Sequence, residues 1–257
     1  MNIVLIGAGN VAFQIGPFLI KKGHRITQLY SWSQKSGQLL AKKLKCPLTN
    51  NPSELSPEAD IYIIALRDEA ISSFLKVLPF IPKLIVHTSG SIGLDVFPRK
   101  IKNTGVVYPL QTFSKLNKKI PEKIPFLIEG SNRKSIITIE KLTNSLSKLV
   151  FKTNSRDRAL IHLSAVFANN FTNYLFVLAG KILHKNKISF NILRPLILET
   201  AQKVQSNSPV KMQTGPAVRG DAIIIRKHLK LLKNFSEIKD IYKVMSKSIE
   251  KEYGPLL

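Results

Sequence analysis

A short apolar run followed at once by a glycine-rich turn opens the sequence. Asn2–Ile6 (NIVLI) has the length and composition of a buried parallel strand. The next residues, Gly7–Ala12, read GAGNVA and match the pattern G-x-G-x-x-A. An amphipathic stretch follows and ends near Gly23, a residue type that favours a helix C-terminus. This order predicts that the chain begins with a strand, a tight turn and a helix packed on a sheet.

Each position of the glycine-rich turn has a physical role. Gly7 permits the tight turn out of the strand, Gly9 lets the backbone approach a pyrophosphate, and Ala12 keeps the helix close to the sheet. The helix then begins with Asn10 and Val11, and its positive end attracts phosphate. We therefore predict that Gly7, Gly9, Asn10 and Val11 bind a dinucleotide. The alternative is a glycine-rich turn that only links a strand to a helix.

The residues after the second predicted strand, Arg25–Tyr30, indicate which dinucleotide is bound. Enzymes that use NAD usually place an acidic residue there to hold the ribose 2′-hydroxyl, and this chain has none at that position. Ser31 and Ser33 can donate hydrogen bonds to a 2′-phosphate, Lys35 can add positive charge, and Trp32 can stack against adenine. The pattern favours NADP as the cofactor. The alternative is an ordinary polar loop that happens to lack an acid.

Strands and helices continue to alternate as far as residue 154, and beyond it the strand pattern disappears. Alternation of this kind indicates an α/β fold with a parallel, doubly wound sheet. We predict an N-terminal, NADP-binding Rossmann domain over residues 1–154 and an all-helical domain for substrate binding and dimerisation over residues 155–257. The further strands are predicted at Asp60–Leu66, Leu84–His87, Gly105–Tyr108, Pro125–Glu129 and Val150–Thr153, and the C-terminal helices at Arg156–Leu183, Ile192–Val204, Ala222–Leu232 and Ile238–Lys251.

Ligands of doubly wound sheets bind beyond the carboxyl ends of the strands. Two further strand ends carry candidate residues for the same cofactor. Leu66 ends one strand, and His87 and Ser89 follow the next in the segment HTSGS. For His87 and Ser89 an equally good interpretation is a serine turn that only caps the next element.

The chain is strongly basic, with a formal net charge of +23. Such a charge suggests nucleic-acid binding, but the lysines are scattered through the chain and no nucleic-acid-binding motif accompanies them. We predict no specific nucleic-acid partner and a positive field that favours an anionic cofactor and substrate. No apolar run is long enough to span a bilayer, no signal peptide precedes the first strand, and Cys46 is the single cysteine. A cytoplasmic protein without a membrane segment or a metal ion is expected.

Four segments give the chain a family resemblance. It resembles a bacterial group described as Rossmann-like proteins with a C-terminal domain of unknown function and named NADP oxidoreductases, and more widely the superfamily of pyrroline-5-carboxylate reductase and 6-phosphogluconate dehydrogenase. Such proteins often have an arginine near the 2′-phosphate, where this chain has Trp32. The segments are His87–Ser91 (HTSGS), Tyr108–Ser114 (YPLQTFS), His162–Phe171 (HLSAVFANNF) and Gln213–Asp221 (QTGPAVRGD).

The resemblance implies catalytic roles for polar residues of the first C-terminal helix, which faces the nicotinamide in the wider superfamily. His162 and Asn169 share one helix face with Asn173 if the helix is regular. By resemblance, His162 is the candidate proton donor, and Asn169 and Asn170 are candidate hydrogen-bond partners of the substrate. The alternative for His162 is a capping or interface histidine.

Arg219 is the candidate that grips a carboxylate or phosphate of the substrate, because its planar guanidinium can bind an anion in a bidentate manner. The alternative is a pair of Arg219 with Asp221 that merely begins a helix.

These expectations lead to one main functional hypothesis and one alternative. The main hypothesis is an oxidoreductase that transfers a hydride between NADP(H) and a small, anionic C=O or C=N compound. The alternative is a non-catalytic NADP-binding sensor or scaffold. Related proteins pair through the helical domain, so a homodimer is a further expectation, with an apolar face supplied by Phe167, Phe171, Phe176 and Leu178.

Overall fold

An eight-stranded sheet organises the first part of the chain in the computed structural model, which describes residues 1–115 and 123–253. The strand order is β3-β2-β1-β4-β5-β6-β7-β8, which places β1 between β2 and β4 and confirms the doubly wound α/β prediction. The strands are β1 Asn2–Ile6, β2 Arg25–Tyr30, β3 Leu48–Thr49, β4 Ile61–Ile64, β5 Ile85–His87, β6 Thr104–Pro109, β7 Phe126–Gly130 and β8 Val150–Lys152.

The sheet departs from the sequence prediction in two strands. All neighbouring pairs are parallel except β6 and β7, which are antiparallel, so the predicted wholly parallel sheet is wrong at this pair. A parallel return needs a long crossover, usually a helix, and the described parts of this connection, residues 110–115 and 123–125, contain none. The two-residue strand β3 was not predicted, because two residues are too few to show a periodicity.

Helices cover the sheet, and after β8 every regular element of the described chain is helical. No helix of the described residues combines the length and the apolar character that a membrane span requires. The helices are α1 Asn10–Lys21, α2 Gln34–Leu44, α3 Asp68–Val77, α4 Arg133–Leu146, α5 Ser155–Ala165, a π-helix Val166–Phe171, α6 Thr172–Lys185, α7 Arg194–Ser206, α8 Pro209–Met212, α9 Ala222–Leu231 and α10 Ser236–Tyr253, with 3₁₀ turns at Pro52–Glu54, Leu94–Val96, Phe190–Leu193 and Leu232–Asn234.

The central strand β1 is buried on both faces of the sheet. Ile3 and Leu5 belong to one core cluster, whereas Val4 and Ile6 belong to a second. Successive strand residues point to opposite faces, so the two clusters are the two sides of the sheet. Residues of α1, α2 and α4 complete the first cluster, and residues of α3 complete the second. Both faces are therefore covered by helices, which explains the continuous apolar run at the start of the sequence.

The chain divides into two compact units, Met1–Asn170 and Phe171–Leu257. This division assigns α5 to the same unit as the sheet, whereas the domain boundary predicted from the sequence falls after residue 154 and stays a prediction. In the second unit, Leu178 packs with Leu232 and Ile238 in a small core. The prediction that Leu178 contributes to an exposed dimer face is therefore wrong, because its side chain is only 4% exposed.

Helix α1 tolerates an internal proline and ends at a glycine. Pro17 has no N–H to donate to the carbonyl of Phe13, and the ammonium group of Lys43 donates to that carbonyl instead, over 3.5 Å. Gly23 follows the helix with a φ of +83°, a conformation that favours glycine. The predicted helix end at Gly23 is confirmed.

A comparison of two glycine variants tests the packing of the first turn. Gly7 has a φ of +113°, and an added Cβ would lie 2.4 Å from the carbonyl oxygen of Ala65, whereas an added Cβ at Gly23 meets nothing within 4 Å. We expect Gly7→Ala to lower the free energy of unfolding by about 2 to 5 kcal/mol, because strain and overlap add. Gly23→Ala carries strain alone and should cost about 1 kcal/mol. Urea unfolding measures both values, and equal losses would contradict the account.

Candidate functional site

The turn from β1 into α1 forms an open cradle on the surface. The packing of the protein requires glycine at position 7, because the Gly7 backbone lies against Ala65. The packing does not require glycine at position 9, since an added Cβ would lie 3.8 Å from the carbonyl oxygen of Ala65, an ordinary contact distance. Gly9 is exposed, so its missing side chain leaves room on the solvent side, where a dinucleotide pyrophosphate would approach. The turn therefore fits the phosphates of NADP.

The N-terminus of α1 completes this cradle. Gly9 is the N-cap residue, and no side chain caps the helix there. The first backbone N–H groups, from Asn10 onwards, are consequently available to an anion. Asn10 is exposed, and Leu66 lies beside Gly7 in the turn after β4. Gly7, Gly9, Asn10 and Leu66 thus come together as predicted, although their contacts with a cofactor remain a prediction.

The end of β2 holds the residues predicted to recognise the 2′-phosphate. The Ser31 side chain is buried, and its hydroxyl donates to the carbonyl of Ser33 over 3.1 Å. The Ser33 hydroxyl accepts a hydrogen bond from the backbone N–H of Ser36 and caps α2. Trp32 is 53% exposed beside them. Since the Ser31 proton is already used within the loop, this bond competes with the predicted phosphate contact.

A cavity of about 360 Å³ opens next to the cradle and is lined by four separate parts of the first unit. Its volume suits a small ligand or the reactive end of a cofactor. Val11 joins it to the start of α1, so the cavity and the cradle share a residue. The lining comprises Val11 of α1, Thr88 after β5, the end of β6 with the segment that follows it (Tyr108, Pro109, Leu110, Gln111, Thr112 and Phe113), and residues at the end of α5 and in the π-helix (His162, Ala165, Val166, Ala168, Asn169 and Asn170).

A hydrogen-bonded pair of Tyr108 and His162 lies in this cavity. The Tyr108 hydroxyl oxygen and the His162 Nδ1 are 2.8 Å apart, and the two rings meet edge to face. An added Cβ at Gly90 would lie 2.7 Å from the His162 ring, so the glycine of the segment HTSGS makes room for the imidazole. Burial, and secondly the charge of Asp68, raise the pKa of Tyr108. The phenol therefore keeps its proton near neutral pH.

A buried ion pair holds the helix that carries His162. The Arg158 side chain is fully buried, and its guanidinium donates to the Glu129 carboxylate on β7 and to the carbonyl of Ile92. The Ser155 hydroxyl donates to the same carboxylate over 2.9 Å. His162 lies one helical turn after Arg158. The position of His162 therefore depends on this ion pair.

His87 is the second histidine near the cavity, and it is fully buried. Its ring stacks on Phe97, and its Nδ1 accepts a hydrogen bond from the backbone N–H of Ser89 over 3.2 Å. Burial, and secondly the charge of Arg158, lower the pKa of His87 to about 4. The imidazole is therefore neutral at physiological pH.

The Ser89 hydroxyl also serves the turn, where it accepts hydrogen bonds from the backbone N–H groups of Ser91 and Ile92. These bonds favour the serine turn over a direct ligand contact, and the cofactor roles predicted for His87 and Ser89 stay predictions. In the same turn it is Thr88 that lines the cavity. Thr88 was not predicted from the sequence, although it lies between the two predicted residues.

A π-helix brings Asn169 and Asn170 to the cavity. The segment Val166–Phe171 interrupts the regular α-helical geometry, and such π-helices are frequent at functional sites. A regular helix would place His162, Asn169 and Asn173 on one face, and the π-helix breaks that regularity. Asn169 and Asn170 nevertheless line the same cavity as His162.

The fourth candidate catalytic residue, Arg219, lies in the second unit. It is exposed in the loop before α9, and its predicted contact with a substrate anion remains a prediction. Asp221 caps α9 by accepting a hydrogen bond from the backbone N–H of Ile224, which is the helix-start role weighed in the sequence. Within residues 1–115 and 123–253, no group of three or more His, Cys, Asp or Glu side chains is arranged to hold a metal ion.

Two family models match the chain. One, described as "NADP oxidoreductase coenzyme F420-dependent", covers residues 2–89, and the other, "Domain of unknown function (DUF2520)", covers residues 124–249. No protein of curated function has a significantly similar sequence.

Solved structures with similar folds cover the whole length of the chain. A proposed NADP oxidoreductase of Bacteroides fragilis is 38% identical, with a TM-score of 0.92 over 97% of this chain and 98% of that one. An imine reductase of Myxococcus stipitatus in complex with NADP⁺ is 15% identical, with a TM-score of 0.68 over 99% and 96% of the two chains. A 1-pyrroline-5-carboxylate reductase of Streptococcus pyogenes is 16% identical, with a TM-score of 0.66 over 98% of each. The last two show the fold alone.

The buried imidazole of His87 predicts a pH dependence of stability. Its folded-state pKa of about 4 lies below the ordinary value of 6.5, so between these values the unfolded chain binds a proton that the folded chain does not. The free energy of unfolding should therefore fall as the pH drops from 6.5 to 4, by roughly 3 kcal/mol from this group alone. We expect His87→Asn to remove that part of the pH dependence in denaturant titrations. Identical pH slopes for the wild type and the variant would contradict the assignment.

Proposed function

We propose that this chain, which belongs to the family of NADP oxidoreductases with a C-terminal DUF2520 domain, transfers a hydride between NADP(H) and a small, anionic C=O or C=N compound. The observation that carries this proposal is the Tyr108–His162 pair in a cavity next to the glycine cradle. Val11 contributes to both the cavity and the start of α1. A proton source and a cofactor-binding turn are therefore adjacent, as a reductase requires.

The chemistry divides between the cofactor and the protein. When bound, NADPH supplies a hydride to carbon, and the heteroatom of the reduced bond then needs a proton. Gly7, Gly9 and the first N–H groups of α1 would hold the phosphates. The protein's contribution to the reacting centre is the proton and the orientation of the substrate.

Tyr108 and His162 together can deliver that proton. A protonated His162 donates from Nδ1 to the Tyr108 oxygen, which leaves the phenolic O–H directed to the substrate. As the substrate heteroatom takes the phenolic proton, the Nδ1 proton passes to the phenol oxygen, and His162 becomes neutral. The raised pKa of Tyr108 fits this role, because the hydroxyl stays protonated between turnovers.

The amides of Asn169 and Asn170 are proposed to orient the substrate, because both line the cavity and each offers a donor and an acceptor. Arg219 is proposed to bind the substrate anion, on the basis of its guanidinium alone. The names of the imine reductase and the pyrroline-carboxylate reductase that share this fold suggest C=N compounds as the first substrates to test.

A homodimer and a cytoplasmic setting complete the proposal. Phe167 and Phe171 are 62% and 51% exposed, as expected of apolar side chains that each contact a second copy. Cys46 is the chain's single cysteine, and burial raises its pKa to about 11, so it stays a thiol, as suits a reducing compartment.

Substitution of the cavity pair tests the proposed chemistry. We expect Tyr108→Phe and His162→Gln each to lower kcat for NADPH oxidation by about 10²- to 10⁴-fold, because general acid catalysis is lost. The dissociation constant for NADPH should not change. Stopped-flow or steady-state absorbance with anionic imines and carbonyl compounds measures the rate, and calorimetry measures binding.

His184→Gln is the matched control, since His184 is exposed in α6 and should leave both quantities as they are. Full activity in both cavity variants would overturn the proposed proton source. A wild-type protein that binds NADPH but oxidises it with none of the compounds would favour the sensor or scaffold alternative.

A further inference from the structure

The surface rim formed by the end of β2 and the start of α2 would face the 2′-phosphate of NADP. This rim has few charged groups of its own. Between Tyr30 and Gly37 the only cation is Lys35, which is exposed. The Ser31 hydroxyl already donates to the carbonyl of Ser33. A 2′-phosphate carries up to two negative charges and is bound most strongly by a cation that also donates a hydrogen bond. The segment from β2 into α2 therefore offers a single cation, Lys35, to a 2′-phosphate.

A lysine from a distant part of the chain lies at this rim. The Lys115 ammonium group donates to the Ser36 hydroxyl over 3.2 Å, across a sequence separation of 79 residues. The same ammonium group lies 4.4 Å from the centre of the Phe13 ring, a cation–π contact. Lys115 thus stands between the second turn of α1, the helix that begins at the glycine cradle, and the first turn of α2, the helix that Ser33 caps.

The residue before Lys115 is hydrogen-bonded to α1. The Gln14 side-chain amide donates to the carbonyl of Ser114 over 2.8 Å, and Gln14 is itself buried. Phe113 packs against the core cluster on the same face of the sheet. These contacts fix the backbone next to Lys115, so less conformational entropy is lost when its ammonium group engages a phosphate.

We propose that Lys115 is the cation that selects the 2′-phosphate of NADP over the 2′-hydroxyl of NAD. It does so together with the Ser36 hydroxyl, to which it is already bonded. This assignment rests on the proposed use of NADP(H). The segment after β6 would then have two roles. Leu110–Phe113 line the cavity proposed for the substrate, and Lys115 would bind the adenosine end of the cofactor.

The test is calorimetric titration of the full-length protein with NADPH and with NADH. We expect Lys115→Met to raise the dissociation constant for NADPH by about 10- to 100-fold, the range for loss of a charge-assisted hydrogen bond. The dissociation constant for NADH should stay within about twofold, on the same arithmetic. Lys115→Arg should retain most of the preference, because it keeps a cation with N–H donors.

Two controls separate this role from general charge. Lys42→Met removes the same charge from the exposed far end of α2 and should leave both constants unchanged. Titration with 2′,5′-ADP and 5′-ADP isolates the 2′-phosphate, and only the former should bind less tightly to the Lys115→Met variant. The preference should also shrink as salt is raised, since this charge is exposed.

Three results would overturn the assignment. Equal weakening of NADPH and NADH by Lys115→Met would show that Lys115 only supports the loop. A preference for NADPH that survives Lys115→Met, and is lost in Lys35→Met, would assign the selection to Lys35. A wild-type protein that binds neither dinucleotide would overturn the proposed function, and the Lys115 assignment with it.

Discussion

The ion pair between Arg158 and Glu129 is the interaction on which the candidate site depends. It is buried, so its desolvation is costly, and loss of one partner would leave an uncompensated charge. The ion pair lies where α5 meets β7 and the turn after β5. The Ser155 hydroxyl and the Ile92 carbonyl satisfy further groups of the same pair. The result is a helix fixed in position at its first turn, with His162 one turn beyond.

The fixed helix determines where the His162 imidazole lies. His162 packs on Gly90 and bonds to Tyr108 on β6, so three separate segments of sequence define the position of one imidazole. The positive charge of Arg158 also helps to keep His87 neutral behind the cavity. His87 is therefore fully buried and neutral, whereas His162 is partly accessible and bonded to a phenol. This difference in environment is the reason for proposing only His162 as part of the proton source.

The local patterns of the sequence predicted the local parts of the structure. The apolar run Asn2–Ile6, the turn at Gly7 and the helix end at Gly23 depend on neighbouring residues, and each is confirmed. Features that depend on distant residues were not predictable in this way. The antiparallel β7, the π-helix at Val166–Phe171 and the approach of Lys115 to Ser36 arise from tertiary packing, which leaves no periodic signal. The same holds for the competing hydrogen bond of Ser31, because a serine in a loop gives no indication of its partner.

The central claim of our proposal is that hydride transfer takes place in the cavity beside the glycine cradle. A crystal structure of the protein with NADP⁺ tests this claim most directly. We expect electron density for the pyrophosphate at Gly9 and the start of α1, and for the nicotinamide ring in the cavity beside Tyr108 and His162. Density that places the nicotinamide away from these two side chains, with the pyrophosphate in the cradle, would contradict the proposed chemistry. A dinucleotide bound elsewhere on the protein would contradict the account as a whole.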